Sequence, residues 1–478
     1  MSLKTSVFRR KTVEELSASP DESHGPRLNK VLTARDVFNH GVAAIIGTGI
    51  FVLTGVAAHD YAGPGIILSF ILSGLACAFV SFSYAELASM IPVSGSAYTY
   101  AYATLGEIVA WIIGWDLLLE YAVGASAVAV GWSAYLQNVL HSVGVTLPDV
   151  IAHAPTSMTH ITSIDLPAVL IIGFLNFWLV KGVSHTAKMT SVFVMVKLAV
   201  IALFIALGVW HIHPTNYVPF MPFGFHGVLS GAAIVFFAYI GFDAVTTLSE
   251  ECKDPQRDVP KGVMGSLVVC TVLYLVVAAI MTGVVHYSQL GGSESAAPMA
   301  HVLNTLGYWW ASPLVSIGAM AGITSVLIVS LFGQSRIMMK MSQDGLMPAL
   351  FGRIHPTYRT PVRSILVCGV VIAIMAGLLP ISELAELTNI GTLAAFVLVC
   401  LGVIVLRRTE PDRPRKFRSP CYPYVPILGI VMCIGLMFGL PLLTWIRFFV
   451  WMAAGLVIYF AWGKRHSLLQ RREQSRLP

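Results

Sequence analysis

Long apolar runs with scarcely a charge recur along the chain from Val42 to Trp462. The hydrocarbon core of a bilayer is about 30 Å thick and takes about 20 apolar residues to cross as a helix. The runs predict twelve transmembrane helices, over residues 37–58, 66–90, 108–140, 166–180, 191–210, 228–248, 263–285, 313–341, 362–379, 387–406, 425–438 and 442–462. The pattern therefore predicts an all-α polytopic membrane protein within a lipid bilayer.

Composition supports this class. Hydrophobic residues make up 56% of the chain and charged residues 11%, whereas a soluble domain carries about 25% charged side chains. The seven cysteines are scattered without metal-ligand spacing, so the sequence predicts neither a metal site nor a disulfide framework. Nucleotide-binding signatures are missing as well, so we expect no cofactor and no ATP-driven transport.

The basic residues predict the orientation of the helices. All but two of the 30 lysines and arginines fall in the tails or in loops on one side, and cytoplasmic loops are enriched in these residues. Both termini are therefore predicted to be cytoplasmic in a cell membrane, and the net charge needs no nucleic-acid partner to explain it. The exceptions are Lys197, inside a span, and Arg447, near an outer end. We interpret Glu86, at the cytoplasmic end of helix 2, as a solvated or packing charge.

Two predicted helices are interrupted by glycine. Helix 1 contains GVAAIIGTGIFVLTG, from Gly41 to Gly55, and helix 6 contains GAAIVFFAYIGFDAVTTLSEE, from Gly231 to Glu251. Glycine lowers helix stability by about 1 kcal/mol relative to alanine. Paired interruptions in two halves of a membrane protein are typical of a transporter's binding site, although glycines also permit close helix packing. We predict that helices 1 and 6 are broken.

The motifs resemble a known family. The stretches IIGTGIFV, FFAYIGFDAVTTLSEE, GQSRIMMKMSQDGLMP, ELAELTNIGTLAAF and RRTEPDRPRKFRSP are similar to the amino acid, polyamine and organocation (APC) transporter superfamily, and most similar to its cationic amino acid transporter branch. The resemblance extends from about residue 30 to 460. It implies the LeuT fold, in which helices 1–5 and 6–10 form a 5+5 inverted repeat and the last two helices are peripheral.

This fold divides the chain into five parts. The resemblance assigns residues 1–35 to a cytoplasmic tail, 36–210 to the first repeat, 227–406 to the second repeat, 424–463 to the peripheral helices 11 and 12, and 464–478 to a second cytoplasmic tail.

The resemblance also implies where a substrate binds. A half-helix that begins near a break presents free N–H groups to a carboxylate, and one that ends there leaves carbonyls for an ammonium. We predict that the N–H groups belong to Thr48, Gly49 and Ile50. The predicted carbonyls are those of Ile45, Phe237 and Ile240. Because backbone groups do the binding, the substrate's side chain is recognised elsewhere.

Ionisable groups inside membrane helices are functional candidates. Asp116 and Glu120 lie four residues apart on helix 3, and Asp243 lies just past the break in helix 6. Asp116 has two interpretations: an interior carboxylate that is hydrogen-bonded to polar groups of neighbouring helices, or a group with a direct functional role. Glu120 and Asp243 predict a preference for cationic amino acids, and Ser330 on helix 8 leaves room for a long side chain.

Lys197 lies in the middle of helix 5, in VMVKLAV. In relatives without sodium dependence, a lysine here takes the place of a bound cation beside the broken first helix. Burial disfavours the ammonium, so protonation can become reversible near physiological pH. We predict that Lys197 couples transport to protons and regard sodium, bound by hydroxyls such as Ser325, as the less favoured alternative. A lysine that reaches the cytoplasmic surface is the other interpretation.

Together these features predict a secondary amino acid transporter that takes up arginine, lysine or ornithine with protons by alternating access. The alternatives are a transporter of small neutral amino acids such as alanine, an exchanger, and a transporter-derived amino acid sensor. An enzyme is not predicted, since no nucleophile and general base are paired within the spans. The sequence leaves open whether a small membrane subunit accompanies the chain.

Overall fold

The computed structural model describes residues 9, 32–91, 96–155, 163–182, 186–243, 245–246, 252–291 and 297–470. Helices dominate this part of the chain. They are α1 Ala34–Ile45, α2 Thr54–Ala57, α3 Ile66–Met90, α4 Ser96–Thr104, α5 Glu107–Ser142, α6 Asp149–Ala152, α7 Leu166–Lys181, α8 Thr186–Gly208, α9 Gly224–Val235, α10 Pro255–Val284, α11 Pro298–Thr305, α12 Ala311–Gln343, α13 Val362–Leu378, α14 Ile381–Thr409, α15 Tyr424–Met437, α16 Leu442–Ile458 and α17 Lys464–His466.

Many of these helices suit a bilayer. Seven helical stretches of the described chain are long and apolar enough to cross a membrane: Gly49–Met90, Glu107–Ser142, Val192–His211, Pro255–Val284, Ala311–Gln343, Ile381–Thr409 and Leu442–Gln470. Four shorter apolar helices accompany them: Leu166–Lys181, Gly224–Tyr239, Val362–Leu378 and Tyr424–Met437. The chain is therefore an all-helical, polytopic membrane protein.

The helices pack in two groups. In the first, α10 packs against α1 and α3, and α3 packs against α9. In the second, α5 packs against α12, α13 and α7. Helix α14 lies against α5 of the second group and also contacts α3 and α9 of the first. Residues from the two groups meet in the middle of the bundle, where the candidate site lies.

The first group contains two interruptions. Helix α1 ends at Ile45, Ile46 is extended, and a π-helical turn follows over Gly49–Leu53. Helix α9 ends in a 3₁₀ turn over Phe236–Tyr239. The helix predicted over residues 228–248 therefore does not continue past Tyr239. Gly241 explains the stop, because its φ of +113° belongs to a region that L side chains rarely adopt.

Helix α1 begins at a local capping motif. Asp36 Oδ2 accepts hydrogen bonds from the Thr33 backbone N–H at 2.9 Å and the Thr33 hydroxyl at 2.7 Å. These bonds stabilise the carboxylate and lower the pKa of Asp36. Just before it, Leu32 accepts a hydrogen bond from the Lys253 backbone N–H at 2.9 Å. The entrance to α1 is thus tied to the chain that leads into α10.

Of the two interpretations of Glu86, a solvated or a packing charge, the structure contradicts the first and agrees with the second. The side chain is fully buried, and Arg407 donates two hydrogen bonds to it, at 2.8 and 2.7 Å. The backbone N–H of Ser419 donates a third at 2.8 Å. This carboxylate therefore joins the end of α3 to the end of α14 and to the segment between α14 and α15. The exceptional Arg447 also has a partner, since its Nη1 lies 2.8 Å from Glu383 Oε2.

Candidate functional site

A cavity of about 70 Å³ lies between the two helix groups. It is lined by the interruption after α1, the turn after α9, the middle of α5, and one face each of α12 and α14. The lining residues are Ala44, Ile45, Gly47, Thr48, Gly49, Glu120, Tyr121, Gly124, Val128, Phe237, Ile240, Gly241, Asp243, Val326, Val329, Ser330 and Thr388.

This cavity brings together eight of the nine residues predicted to bind substrate. Ile45, Thr48, Gly49, Phe237, Ile240, Asp243, Glu120 and Ser330 all line it. Ile50 does not, and its side chain is fully buried. Lys197 is not among the lining residues but contacts the α1 interruption.

The two interruptions touch at Gly49. A β-carbon on this residue would lie 2.3 Å from Ala238 Cα and 2.4 Å from Ala238 Cβ. Only glycine allows the two backbones to approach this closely. The next residue back, Thr48, is 1% exposed and its Oγ1 has no hydrogen-bond partner in the described part of the chain. Thr48 thus brings an available hydroxyl to the cavity wall, beside the backbone groups that the sequence indicates.

Tyr274 of α10 joins the same two segments. Its hydroxyl lies 2.9 Å from Ile45 O and 2.7 Å from Ala238 O. The single hydroxyl proton can be donated to one carbonyl at a time. The sequence predicted an unpaired Ile45 carbonyl, whereas in the structure this carbonyl shares the Tyr274 hydroxyl with Ala238 O and keeps a second lone pair. The Phe237 carbonyl likewise accepts the Ile240 N–H, at 3.3 Å.

Lys197 is fully buried behind α1. Its Nζ donates to Ala43 O at 2.5 Å and to Ile46 O at 2.8 Å. No carboxylate of the described residues lies within ion-pair distance of it. A buried ammonium held only by carbonyls is costly. Its charge state and the shape of the α1 interruption therefore depend on each other.

Two buried carboxylates face the cavity on the opposite side. Glu120 of α5 is 5% exposed and Asp243 is 3% exposed, and the two interact electrostatically. Thr392 of α14 lies beside Glu120. Low-dielectric surroundings disfavour two adjacent negative charges. This pair therefore favours a bound cation or a bound proton.

Asp116 lies one helical turn away from Glu120 and is 2% exposed. If the role of Asp116 were only structural, we would expect neighbouring polar groups to form hydrogen bonds with its carboxylate. Its Oδ1 instead has no hydrogen-bond partner in the described residues, and it faces the backbone of Gly391. The expectation of a hydrogen-bonded interior carboxylate is wrong for this oxygen.

The rest of the wall is mostly apolar. Val128, Val326 and Val329 line the cavity next to Ser330. One turn beyond Ser330, Gln334 is 4% exposed. Its Nε2 donates to Leu118 O at 3.2 Å, while its Oε1 has no partner among the described residues. An unpaired acceptor thus lies just behind the serine.

Sequence reasoning missed Tyr274 and Asn389. Tyr274 lies in an apolar run, TVLYLVV, and nothing local distinguishes it from a packing residue. Asn389 donates to Ala233 O at 2.7 Å and Ile234 O at 3.0 Å, and so satisfies carbonyls at the end of α9. A polar amide inside a predicted membrane helix is a signal that could have identified it.

A central cavity with buried acids between two interrupted segments of an all-helical membrane protein is typical of a transporter. The sequence comparison agrees with this class, because the amino acid permease family profile matches residues 33–461. The chain belongs to this family, whose members are transporters rather than enzymes.

The similar proteins carry different substrates. The branched-chain amino acid permease BcaP of Bacillus subtilis (strain 168) is 46% identical over 470 residues, 98% of this chain and 100% of that protein. The methylthioribose transporter of the same organism is 44% identical over 467 residues, again 98% of this chain and 100% of that protein. The vacuolar cationic amino acid transporter 4 of Arabidopsis thaliana is 36% identical over 414 residues, 85% of this chain and 68% of that protein.

Proposed function

We propose that this permease takes up amino acids together with protons by alternating access. The observation that carries the proposal is the position of Lys197, whose ammonium bonds two carbonyls of the α1 interruption directly behind the cavity. The proposal includes a LeuT fold with twelve membrane helices and a 5+5 inverted repeat. In this fold the interruptions after α1 and within residues 236–243 are the paired breaks of helices 1 and 6.

Backbone groups would hold the part that all amino acids share. The substrate carboxylate would lie at the N–H groups of Thr48, Gly49 and Ile50, with the Thr48 hydroxyl as a further donor. The ammonium would lie at the carbonyls of Ile45, Phe237 and Ile240. Helix ends suit both charges, because the partial positive and negative ends of helix dipoles face the corresponding groups.

Protonation of Lys197 would set the shape of the binding segment. The charged form donates to Ala43 O and Ile46 O and holds the interruption in one conformation. The neutral form is a poorer donor and releases these carbonyls. A sodium ion at this position would compete with Lys197 for the carbonyls of Ala43 and Ile46, so the proton is our proposed coupling ion and no cofactor is invoked.

Uptake into sodium-free proteoliposomes tests the coupling. The membrane potential is held at zero with potassium and valinomycin, and the outside is made more acidic. A pH difference of one unit supplies a free energy of about 1.4 kcal/mol for each proton that enters. With one proton per substrate molecule, this allows about ten-fold accumulation of the substrate. We expect the wild-type protein and a Lys181→Ala control to concentrate substrate and Lys197→Ala to reach only equilibrium. Accumulation by the Lys197 variant, or none by wild type, would contradict the proposal.

For the substrate side chain we propose a preference for cationic amino acids. Glu120 and Asp243 are two buried acids that line the cavity, and two adjacent negative charges are disfavoured in low-dielectric surroundings. A substrate cation would neutralise them. The unpaired Gln334 Oε1 behind Ser330 offers an acceptor for a guanidinium or ammonium that extends past the small serine.

Neutral amino acids are the second candidate. The cavity of about 70 Å³ holds only about five water-sized probes, which suits alanine, whereas leucine or arginine needs further opening. Three valines line it, and a permease that is 46% identical is named for branched-chain amino acids. In this case the two acids would share protons instead of binding a substrate cation.

Competition separates the two candidates. Labelled arginine and labelled leucine are each offered to wild type and to Ser330→Met, a variant that closes the route to Gln334. Under the cationic proposal, arginine uptake is blocked by excess lysine and lost in the variant, while leucine competes poorly. If alanine and leucine abolish arginine uptake or arginine is not carried at all, the neutral candidate takes its place.

We also propose that both termini lie in the cytoplasm of a cell-membrane permease. Cys421 is an exposed cysteine in the segment between α14 and α15. An impermeant maleimide should label it only after cells are opened. A cysteine at the exposed His141, placed in a Cys421→Ser background, should be labelled in intact cells. The reverse pattern would show the opposite orientation.

A further inference from the structure

A polar seam runs from the cavity between α5 and α14. Three positions on one face of α5, each a helical turn apart, face α14. Gly124 faces Thr388, Glu120 lies beside Thr392, and Asp116 faces the backbone at Gly391. Gly124 and Glu120 line the cavity, and Asp116 lies one turn further towards the start of α5. The seam therefore extends the site by one helical turn along α5, from Glu120 to Asp116.

Asp116 is fitted into this seam without being bonded. An added β-carbon on Gly391 would lie 2.7 Å from Asp116 Oδ1 and 3.5 Å from its Cγ. The carboxyl group is thus pressed against a glycine of α14, and its Oδ1 has no hydrogen-bond partner in the described chain. An isolated buried carboxylate is costly. A carboxyl kept in such a place without structural bonds is suited to taking up and giving up a proton.

The neighbours of Asp116 favour exchange with Glu120. Helix α5 packs against α4, α7, α12, α13, α14 and α16, and Glu120 is the ionisable group that interacts with Asp116 in the described part. Several other titratable groups of these helices contact other partners: Tyr98 contacts Asp344, Tyr102 and Tyr459 contact Glu107, Arg336 contacts Phe332, Glu386 contacts Thr444, Arg407 contacts Glu86, Arg447 contacts Glu383 and Lys181 contacts Phe177.

We propose that Asp116 is a proton-transfer residue that receives a proton from Glu120 when substrate enters the cavity. Residues four apart on a helix have Cβ atoms about 5–6 Å apart, so the two carboxyl groups can exchange a proton directly or through one water. The Glu120 acid loses its proton and becomes a carboxylate, and the Asp116 carboxylate becomes the acid. No other reactant takes part.

The order of events follows from charge. Two carboxylates this close do not both ionise readily in a low-dielectric interior, so the pair retains a proton. A positive group of the substrate near Glu120 and Asp243 favours the ionised form of Glu120. The proton then moves one turn along α5 to Asp116, away from the substrate. This inference rests on the proposed proton-coupled transport and assigns its path beyond Lys197.

Asp116→Asn tests the inference in the full-length protein reconstituted into proteoliposomes. Asparagine has the same shape but cannot accept the proton. We expect proton-driven accumulation of labelled arginine to fall by about ten-fold, the full effect of one pH unit, and its pH dependence to flatten. Counterflow without a gradient should stay near the wild-type rate, because exchange needs no net proton movement. Asp165→Asn is the matched control, a buried aspartate that caps α7 and is hydrogen-bonded to Ser133 at 2.6 Å.

The outcomes separate the two proposals. Wild-type protein that fails to accumulate substrate contradicts proton coupling itself. If wild type accumulates and Asp116→Asn does so with the same pH profile, only the role of Asp116 is overturned. Equal losses of accumulation and counterflow would show a structural role and also overturn it. If the asparagine variant does not fold, Asp116→Glu replaces it. We then expect the pH midpoint of proton-driven uptake to shift, and an unchanged midpoint would overturn the role of Asp116.

Discussion

The contact between Gly49 and Ala238 makes a sharp test of the site. In Gly49→Ala the new β-carbon would lie 2.3 Å from Ala238 Cα, 2.4 Å from Cβ and 2.9 Å from N. Carbon atoms pack at about 3.5–4.0 Å, so the contact is short by roughly 1 Å. All three atoms belong to the backbone of Ala238 or are its β-carbon, so none of them can rotate away. The two interruptions must separate, at a cost of about 1–3 kcal/mol for overpacking.

The consequence is measured as binding and stability. We expect Gly49→Ala to lower the affinity for arginine and leucine alike by about ten-fold or more, since 1.4 kcal/mol is ten-fold, and to lower the melting temperature in detergent. Gly124→Ala is the control, because it lines the same cavity and its β-carbon meets Thr388 Cγ2 at an ordinary 3.4 Å. Wild-type affinity and melting in Gly49→Ala would refute the close approach of the two segments.

Two further substitutions probe hydrogen bonds at the site and at the end of the bundle. Tyr274→Phe removes the hydroxyl that lies between Ile45 O and Ala238 O, so we expect the free energy of unfolding to fall by about 1 kcal/mol. Saturating substrate should raise the melting temperature of this variant more than that of wild type. Equal shifts of the melting temperature in the two proteins would contradict this expectation. Glu86→Gln breaks a buried pair and should cost about 3–5 kcal/mol. The half-exposed pair of Glu383 and Arg447 serves as its control, and Glu383→Gln should cost less than about 1 kcal/mol; comparable melting of the two variants would contradict this ranking.

Helix positions followed from the sequence where hydrophobicity and chain breakers agree. The helix predicted over residues 66–90 is the observed α3, because glycine and proline precede its apolar run and another proline follows it. The end at Tyr239 was missed, because hydrophobicity continues past it. The stop depends on Gly241, whose β-carbon would lie 2.9 Å from Ala44 O, and this contact comes from a distant part of the chain.

The candidate site shows the same limit. Glycine-rich segments and membrane acids could be recognised locally, and eight of those residues line one cavity. Tyr274 and Asn389 could not be assigned partners, because their hydrogen bonds go to carbonyls at least 36 residues away. The missing partner of Asp116 Oδ1 was also invisible in sequence. Whether a buried carboxyl is bonded depends on which helix faces it, and here the facing residue is a glycine.

The arrangement around α1 suggests how binding and coupling remain separate. Ala44 and Ile45 line the cavity, whereas the neighbouring Ala43 and Ile46 give their carbonyls to Lys197 on the other side. The proton state of Lys197 can therefore reach a substrate through the peptide units of this segment. The acids that face the cavity lie on α5 and just past the second interruption, away from Lys197. Changes to Glu120 should consequently alter which side chain is carried, while changes to Lys197 should alter the response to protons for every substrate.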